Sequence, residues 1–139
     1  MNYTRIKLSK TNYSKLDNAS IVKKPSLEEL RIIYKKYCDH KKFKSCQPLF
    51  ENEIRQNKIM GYYDRGRIIA FTILRKLDDL NIESFQFAWD YEDPKLRMGI
   101  ASIKHECAWA KENGYHYLYL GQDDRYKKQF NGFEILGKL

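Results

Sequence analysis

Cysteine, proline and long apolar runs are all scarce in this chain of 139 residues. Its three cysteines, Cys38, Cys46 and Cys107, are odd in number and include no C-x-x-C pair. That pattern speaks against a disulfide framework and against structural zinc, and it fits a reducing compartment. His40, His105 and His116 lack metal-ligand spacing, so no metal site is expected, and His105, four residues before Trp109, is expected on a helix surface. Nowhere do about 18 apolar residues run together, which leaves no candidate membrane helix. Residues Met1 to Arg5 show no apolar signal-peptide core. The expectation is a cytoplasmic protein with no membrane partner.

What is present is a globular composition: 42% hydrophobic and 14% aromatic residues, with 11 tyrosines, too much apolar side chain for a disordered chain. The length suits a single domain spanning residues 1–139. The net charge of +8 sits in the first 60 residues, which hold 14 Lys and Arg against 6 Asp and Glu; the rest is balanced at 12 against 12. Lys23-Lys24, Lys35-Lys36 and Lys41-Lys42-Phe43-Lys44 are suited to attract RNA, DNA or an acidic protein segment. The plainer reading is a solubilising lysine face.

Along the chain, Tyr3 to Leu8 alternates as a half-buried strand, and the polar stretch 9–25 reads as a loop ending at Pro25. Ser26-Leu27-Glu28-Glu29 is a capping box, and Leu30, Ile33, Tyr34, Tyr37 and Cys38 form the apolar stripe of the helix it opens, with Lys35 and Lys36 turned outward. Pro48 suits the first turn of a second helix ending near Gln56. Residues 58–63 and 67–74 form a hairpin around Asp64-Arg65-Gly66, and 82–89 a third antiparallel strand. The spacing of Leu96, Ile100, Ile103, Cys107 and Ala110 predicts a helix over 94–113, stopped at Asn113-Gly114. Tyr115 to Leu120 alternates as a strand parallel to the preceding one, and Phe130, Phe133, Ile135 and Leu136 return the tail to the core. This is an α+β domain with helices on a mixed, mostly antiparallel sheet.

Residues Phe85 to Gly121 hold the chemistry. An aromatic strand (Phe85, Phe87, Trp89) runs through an acidic turn (Asp90, Glu92, Asp93) into a helix opening Leu96-Arg97-Met98-Gly99-Ile100-Ala101. A helix start that carries glycine leaves backbone N–H groups free for a phosphate or another anion.

The element order resembles the GNAT acyltransferase fold, which implies a V-shaped donor cleft between strands 82–89 and 115–120. Acetyl-CoA-dependent members carry Q/R-x-x-G-x-G/A at the helix start. Here Gly99 and Ala101 match that motif, whereas Leu96 does not. Over roughly residues 58–139 the chain more closely resembles the C-terminal half of arginyl- and leucyl-tRNA–protein transferases. The resemblance lies in Trp89-Asp90-Tyr91-Glu92 before the helix, Trp109-Ala110-Lys111-Glu112-Asn113-Gly114 at its end, Tyr117-Leu118-Tyr119-Leu120-Gly121 in the next strand, and Tyr126-Lys127-Lys128-Gln129-Phe130 with Leu136 in the tail. The cysteine-rich N-terminal domain of that family has no counterpart here.

The resemblance implies transfer of an aminoacyl group from tRNA to a protein N-terminus, with acetyl-CoA or another acyl-CoA as the alternative donor to a protein, small amine or nucleobase. No prosthetic group is implied. A non-catalytic RNA- or protein-binding module is the third reading. Backbone N–H groups of Phe87, Ala88 and Trp89 would hold the donor carbonyl, and those of Met98, Gly99, Ile100 and Ala101 a phosphate, with Arg97 adding charge. Asp90 is the first candidate for general base or for orienting the amine; its plainer role is to complement the helix dipole. Glu92 and Asp93 read as caps. Tyr126 is the candidate proton donor to the leaving group, and Phe87 and Trp89 either wall the donor pocket or fill the core. Cys107, within the apolar stripe, reads as a buried small residue.

Overall fold

The hairpin at the centre of the sequence is also the centre of the sheet. Strand β3 (Lys58–Asp64) pairs antiparallel with β4 (Arg67–Lys76) through a two-residue turn in which Arg65 and Gly66 both have positive φ, 51° and 77°. Glycine adopts that conformation without steric cost, and the turn's twist matches that of the flanking strands. The computed structural model describes residues 2–41, 51–90, 98–122 and 125–138, without the side chains of Asn2, Lys41, Gln122, Arg125, Tyr126 and Lys138.

β1 (Asn2–Lys7), β2 (Ala19–Ile21), β5 (Asn81–Trp89), β6 (Tyr117–Gln122) and β7 (Phe133–Lys138) complete a seven-stranded sheet of order β2-β3-β4-β5-β6-β1-β7. Every pairing is antiparallel except β5 with β6. The mixed sheet and its flanking helices match the expected class.

Helices α1 (Leu27–Lys41) and α2 (Glu51–Gln56) cover one face, where Leu30, Ile33 and Ile54 pack on Ile59, Phe71 and Ile73. α3 (Met98–Glu112) covers the other, with Ile103, Cys107 and Ala110 against Ile6, Met60 and Leu118. Alternation along β4 sends Ala70 and Leu74 to the α3 face and Phe71 and Ile73 to the α1 face, so this central strand is buried on both sides. At the start of α1, Glu29 N donates to Ser26 Oγ at 3.4 Å, one half of the expected capping box.

Three expectations are corrected. The stretch 9–25 is not all loop: Ala19–Ile21 forms the edge strand β2 against Met60–Tyr62, too short and too polar in its surroundings to show a period. β6 begins at Tyr117 because Tyr115 and His116 are bound elsewhere. Tyr115 N donates to Ala110 O and its ring stacks on Trp109, while His116 N donates to Leu80 O. Cys38 is disulfide-bonded, with a partner outside the described residues, while Cys107 is a buried free thiol. An odd cysteine count excludes a framework that uses every cysteine, and it leaves room for one pair. The turn Glu92-Asp93, Leu96 and Arg97, and the lysines Lys42 and Lys44, lie outside the described residues.

Candidate functional site

β5 and β6 are paired over only three positions, Asn81–Glu83 with Tyr117–Tyr119. Just beyond, β5 carries an irregularity in its other ladder: Ile73 faces Gln86 and Leu74 faces Ser84, so Phe85 is the extra residue. An extra residue bends a strand and ends regular pairing, and such bulges gather beside functional sites. The strands diverge there, and a cavity of about 210 Å³ opens between them. Ser84, Phe85 and Phe87 line it from β5, Gly99, Ser102 and Ile103 from α3, Leu120 from β6, Tyr37 from α1 and Lys127 from the 3-10 turn Arg125–Gln129.

The backbone of β5 faces this gap in a definite pattern. Asp90 N donates to Ile69 O at 2.7 Å, so the peptide groups of Asp90 and Ala88 turn toward β4. Those of Phe87 and Trp89, one residue out of phase, turn away from β4 toward the gap. Of the three backbone donors expected to hold a carbonyl, Phe87 and Trp89 are aimed suitably, and Ala88, fully buried, belongs to the ladder with β4.

At the described start of α3, Met98 is buried, Gly99, Ile100 and Ala101 are half-buried, and among the described residues the first turn contains no acidic residue. A Cβ built on Gly99 would meet nothing within 4 Å. Gly99 therefore borders open space on the cavity wall, where a ligand can approach the helix backbone closely. Phe87 does wall the cavity, whereas Trp89 is 5% exposed and belongs to the core.

Asp90 closes β5 on the α1 side. Its buried carboxylate accepts a hydrogen bond from Lys36 Nζ at 3.2 Å, so Lys36 does not simply turn outward as its place on the helix suggests. The pair ties α1 to the end of β5. Asp90 is not among the cavity-lining residues. Tyr126 lies on the 3-10 turn that brings Lys127 to the cavity, and its side chain is outside the described residues.

Four residues that pattern reading passed over are placed at or behind the cleft: Ser84, Ser102, Lys127 and Glu106. Lys127 is buried and its Nζ donates to Leu120 O at 2.9 Å. Glu106 lies one turn beyond Ser102 on α3 and is fully buried. Its Oε2 accepts hydrogen bonds from Tyr62 OH at 2.5 Å and Thr72 Oγ1 at 3.0 Å. Burial pushes its pKa up from 4.5 to about 7 against the opposing pull of Tyr62, Thr72 and Ser84. Burial, reinforced by the neighbouring carboxylate, likewise raises the Tyr62 phenol and the Cys107 thiol.

His105 is buried, contrary to its expected surface position. Its Nδ1 accepts from Leu16 N at 2.9 Å, and burial, then Lys15, lowers its pKa to about 4. The sequence signal was available: His105 and Glu106 interrupt the apolar stripe beside Cys107, where a polar pair turned inward needs partners from other elements.

Comparison with known proteins follows the same geometry. The family described as arginine-tRNA-protein transferase, C terminus, matches residues 27–137. No curated protein matches the chain in sequence. Among solved structures, L-PGS from Bacillus licheniformis superposes with a TM-score of 0.67 at 19% identity, covering 87% of this chain and 46% of that one. A protein assigned to the GNAT acetyltransferases from Novosphingobium aromaticivorans gives 0.62 at 14% identity, covering 96% and 59%. A GNAT family acetyltransferase from Elizabethkingia anophelis with acetyl-CoA bound gives 0.55 at 18% identity, covering 82% and 71%. The chain spans about half the length of the first two structures. These likenesses establish the GNAT fold. Among the described residues no helix is long and apolar enough to cross a membrane.

Proposed function

Because this chain belongs to the family of arginine-tRNA-protein transferase C-terminal domains, we propose that it transfers an aminoacyl group from a charged tRNA to the amine of a protein N-terminus, within the cleft between β5 and β6. The observation that carries this reading is the divergence of the two strands beyond Glu83 and Tyr119. It leaves the peptide groups of Phe87 and Trp89 facing a cavity whose opposite wall is the glycine-bearing start of α3. Acyl transfer needs fixed donors for the carbonyl oxygen and a cradle for the carrier's phosphate, and backbone N–H groups serve for both.

In this reading Phe87 and Trp89 hold the donor carbonyl, and Met98, Gly99, Ile100 and Ala101 hold the phosphate, with Arg97 adding charge. Asp90, fixed by Lys36 outside the cavity lining, serves the incoming amine by holding the end of β5 in place. Tyr126 protonates the departing carrier oxygen, a role that rests on the family resemblance. The basic N-terminal half, including the exposed Lys23, Lys24 and Lys35, supplies the electrostatic attraction for tRNA.

A second reading, with acetyl-CoA or another acyl-CoA as donor, is favoured by Gly99 and Ala101 and by the acetyl-CoA-bound structural neighbour. Leu96, where CoA-binding members carry Gln or Arg, favours tRNA. The test is a paired titration of the purified protein with arginyl-tRNA and with CoA, followed by a transfer assay on a peptide with a free N-terminus. Saturable tRNA binding and aminoacyl transfer are expected. Saturable CoA binding without tRNA binding would overturn the donor assignment, and binding of tRNA with no transfer would reduce the protein to an RNA-binding module.

A further inference from the structure

The carboxyl of Glu106 is enclosed by three strands and its own helix. Tyr62 of β3 and Thr72 of β4 bond its Oε2. The Ser84 side chain of β5 favours the charged form of the carboxyl, and Oε1 has no hydrogen-bond partner among the described residues. A fully buried carboxyl oxygen without a partner is costly and uncommon in a folded protein.

The direction in which that oxygen finds relief is set by its neighbours. Ser84 lines the cleft, and so do Ser102 and Ile103, one turn from Glu106 on the same side of α3. Glu106 therefore sits behind the cleft wall, beside a Ser84 that both lines the cavity and acts on the carboxyl.

The surroundings accept this carboxyl in either protonation state. Tyr62 OH lies 2.5 Å from Oε2 and 3.2 Å from Ser102 O. When Glu106 is charged, the phenol donates to it. When Glu106 is protonated on Oε2, it donates to the phenol oxygen and the phenol turns its hydrogen to Ser102 O. Oε2 thus keeps a partner in both states while Oε1 is left to exchange a proton, and a near-neutral pKa of about 7 suits exchange better than a fixed charge does.

The other titratable groups nearby are Cys107 and His105 on α3 and, across the cavity, Lys127 and Tyr37. The His105 imidazole is directed elsewhere, with Nδ1 on Leu16 N and Nε2 3.3 Å from Met60 Sδ. Lys127 Nζ is bonded to Leu120 O.

We propose that Ser84 and Glu106 form a proton relay at the wall of the cleft, Ser84 meeting the attacking amine and Glu106 storing the proton that the amine loses. The proposal rests on the acyl-transfer reading of the cleft. The amine nitrogen bonds to the donor carbonyl carbon, and the carbonyl electron pair moves onto oxygen. The nitrogen of the adduct gives a proton to Ser84 Oγ while the Ser84 hydroxyl proton passes to Glu106 Oε1. Collapse of the oxyanion re-forms the carbonyl and breaks the bond to the carrier, whose departing oxygen or sulfur leaves with the electron pair and takes a proton from Tyr126. Glu106 returns its proton to solvent as the product leaves, and Tyr126 recovers one from solvent.

The deciding experiment pairs spectroscopy of the free protein with kinetics. Infrared difference spectra of the full chain between pH 5 and about 9, around the near-neutral value of 7, are expected to show a carboxylic-acid band titrating near neutrality. The band should vanish in Glu106→Gln and shift its midpoint in Ser84→Ala. With the donor that wild type uses, arginyl-tRNA or acetyl-CoA, and a free N-terminal peptide, Glu106→Gln should lower kcat by about a hundredfold and abolish the acidic limb of the pH profile. Ser84→Ala, which leaves the carboxyl in place, should do the same even if the Gln variant fails to fold. Tyr62→Phe removes a bond to the charged form and should move the limb to higher pH.

A wild-type pH profile in folded Glu106→Gln or Ser84→Ala would overturn the relay, as would a Glu106 band indifferent to Ser84→Ala. If wild type transfers from neither donor, the cleft reading itself falls, and the infrared band alone decides whether Ser84 and Glu106 share a proton.

Discussion

The two faces of the sheet are built on different terms. Under α1 and α2 the packing is apolar apart from the Lys36–Asp90 pair: Leu30, Ile33 and Ile54 meet Ile59, Phe71, Ile73 and Ala88. Under α3 an equally buried layer includes Thr72, Ser102, His105, Glu106 and the hydroxyl of Tyr62. The helix starts repeat the contrast. α1 opens with Ser26 at its cap and Glu28 and Glu29 in its first turn, whereas among the described residues the first turn of α3, from Met98, holds no acidic residue. Carboxylates satisfy a helix start from within; without them it remains open to an anion from outside. The first face maximises stability. The second gives up some of it to keep buried polar groups beside the cleft.

The largest expected effect lies on the apolar face. Phe71→Ala removes a fully buried ring from the central strand and should cost about 3–5 kcal/mol in urea unfolding, while transfer activity per folded molecule is retained. Equal loss of activity and stability would break the division of labour between the faces.

Next comes the pH dependence of the polar face. Glu106 has a folded-state pKa raised from 4.5 to about 7, so the folded state binds its proton more tightly than the unfolded state. Its contribution is greatest below the unfolded value and is lost as pH rises toward 7. His105 is lowered from 6.5 to about 4, so its contribution is full above 6.5 and lost as pH falls toward 4. The two slopes oppose one another between about pH 4.5 and 6.5. Wild-type stability should therefore be nearly flat in that window. Glu106→Gln should unmask a rise with pH and His105→Gln a fall, each on the order of 2–3 kcal/mol across its range. Thermal midpoints of the three proteins from pH 4 upward measure this, and parallel curves would refute the opposition.

Smaller effects belong to the helix starts. Ser26→Ala should cost about 1 kcal/mol by removing the cap of α1. Gly99→Ala should be neutral or stabilise by about 0.5 kcal/mol, since its Cβ meets nothing and alanine favours helix. Gly99→Trp should leave the thermal midpoint near wild type yet weaken donor binding about tenfold, about 1.4 kcal/mol. Unchanged donor affinity in that variant would remove α3 from the cleft.

Pattern reading recovered the elements whose periods are local. The Asp64 to Arg67 turn, the α1 stripe and the strand over 82–89 all follow from neighbours within a few residues, and the structure has each of them. β2 escaped because three residues in a polar stretch have no measurable period; their strand character comes from β3 across the ladder. At the cleft, β5 and Gly99 were legible as elements because they belong to one continuous stretch. Glu106, Ser84 and Lys127 were not, since their meaning arises only when α3, β5 and the 3-10 turn are brought together. Asp90 was legible as an acidic residue ending β5, but its bond to Lys36 spans 54 positions. Cys38 reads as one more member of an apolar stripe and is nonetheless disulfide-bonded.

The strand order also governs when the sheet can be completed. β1, at residues 2–7, lies between β6 and β7, at residues 117–138. β1 thus waits for β6 and β7, and closing that loop costs chain entropy before any pairing compensates it. β2 to β5 can assemble while synthesis continues, but the wall of the cleft formed by β6 arrives only with the closing segment. The cleft is therefore a late product of folding, and a chain truncated before β6 has the donor strand without a cleft.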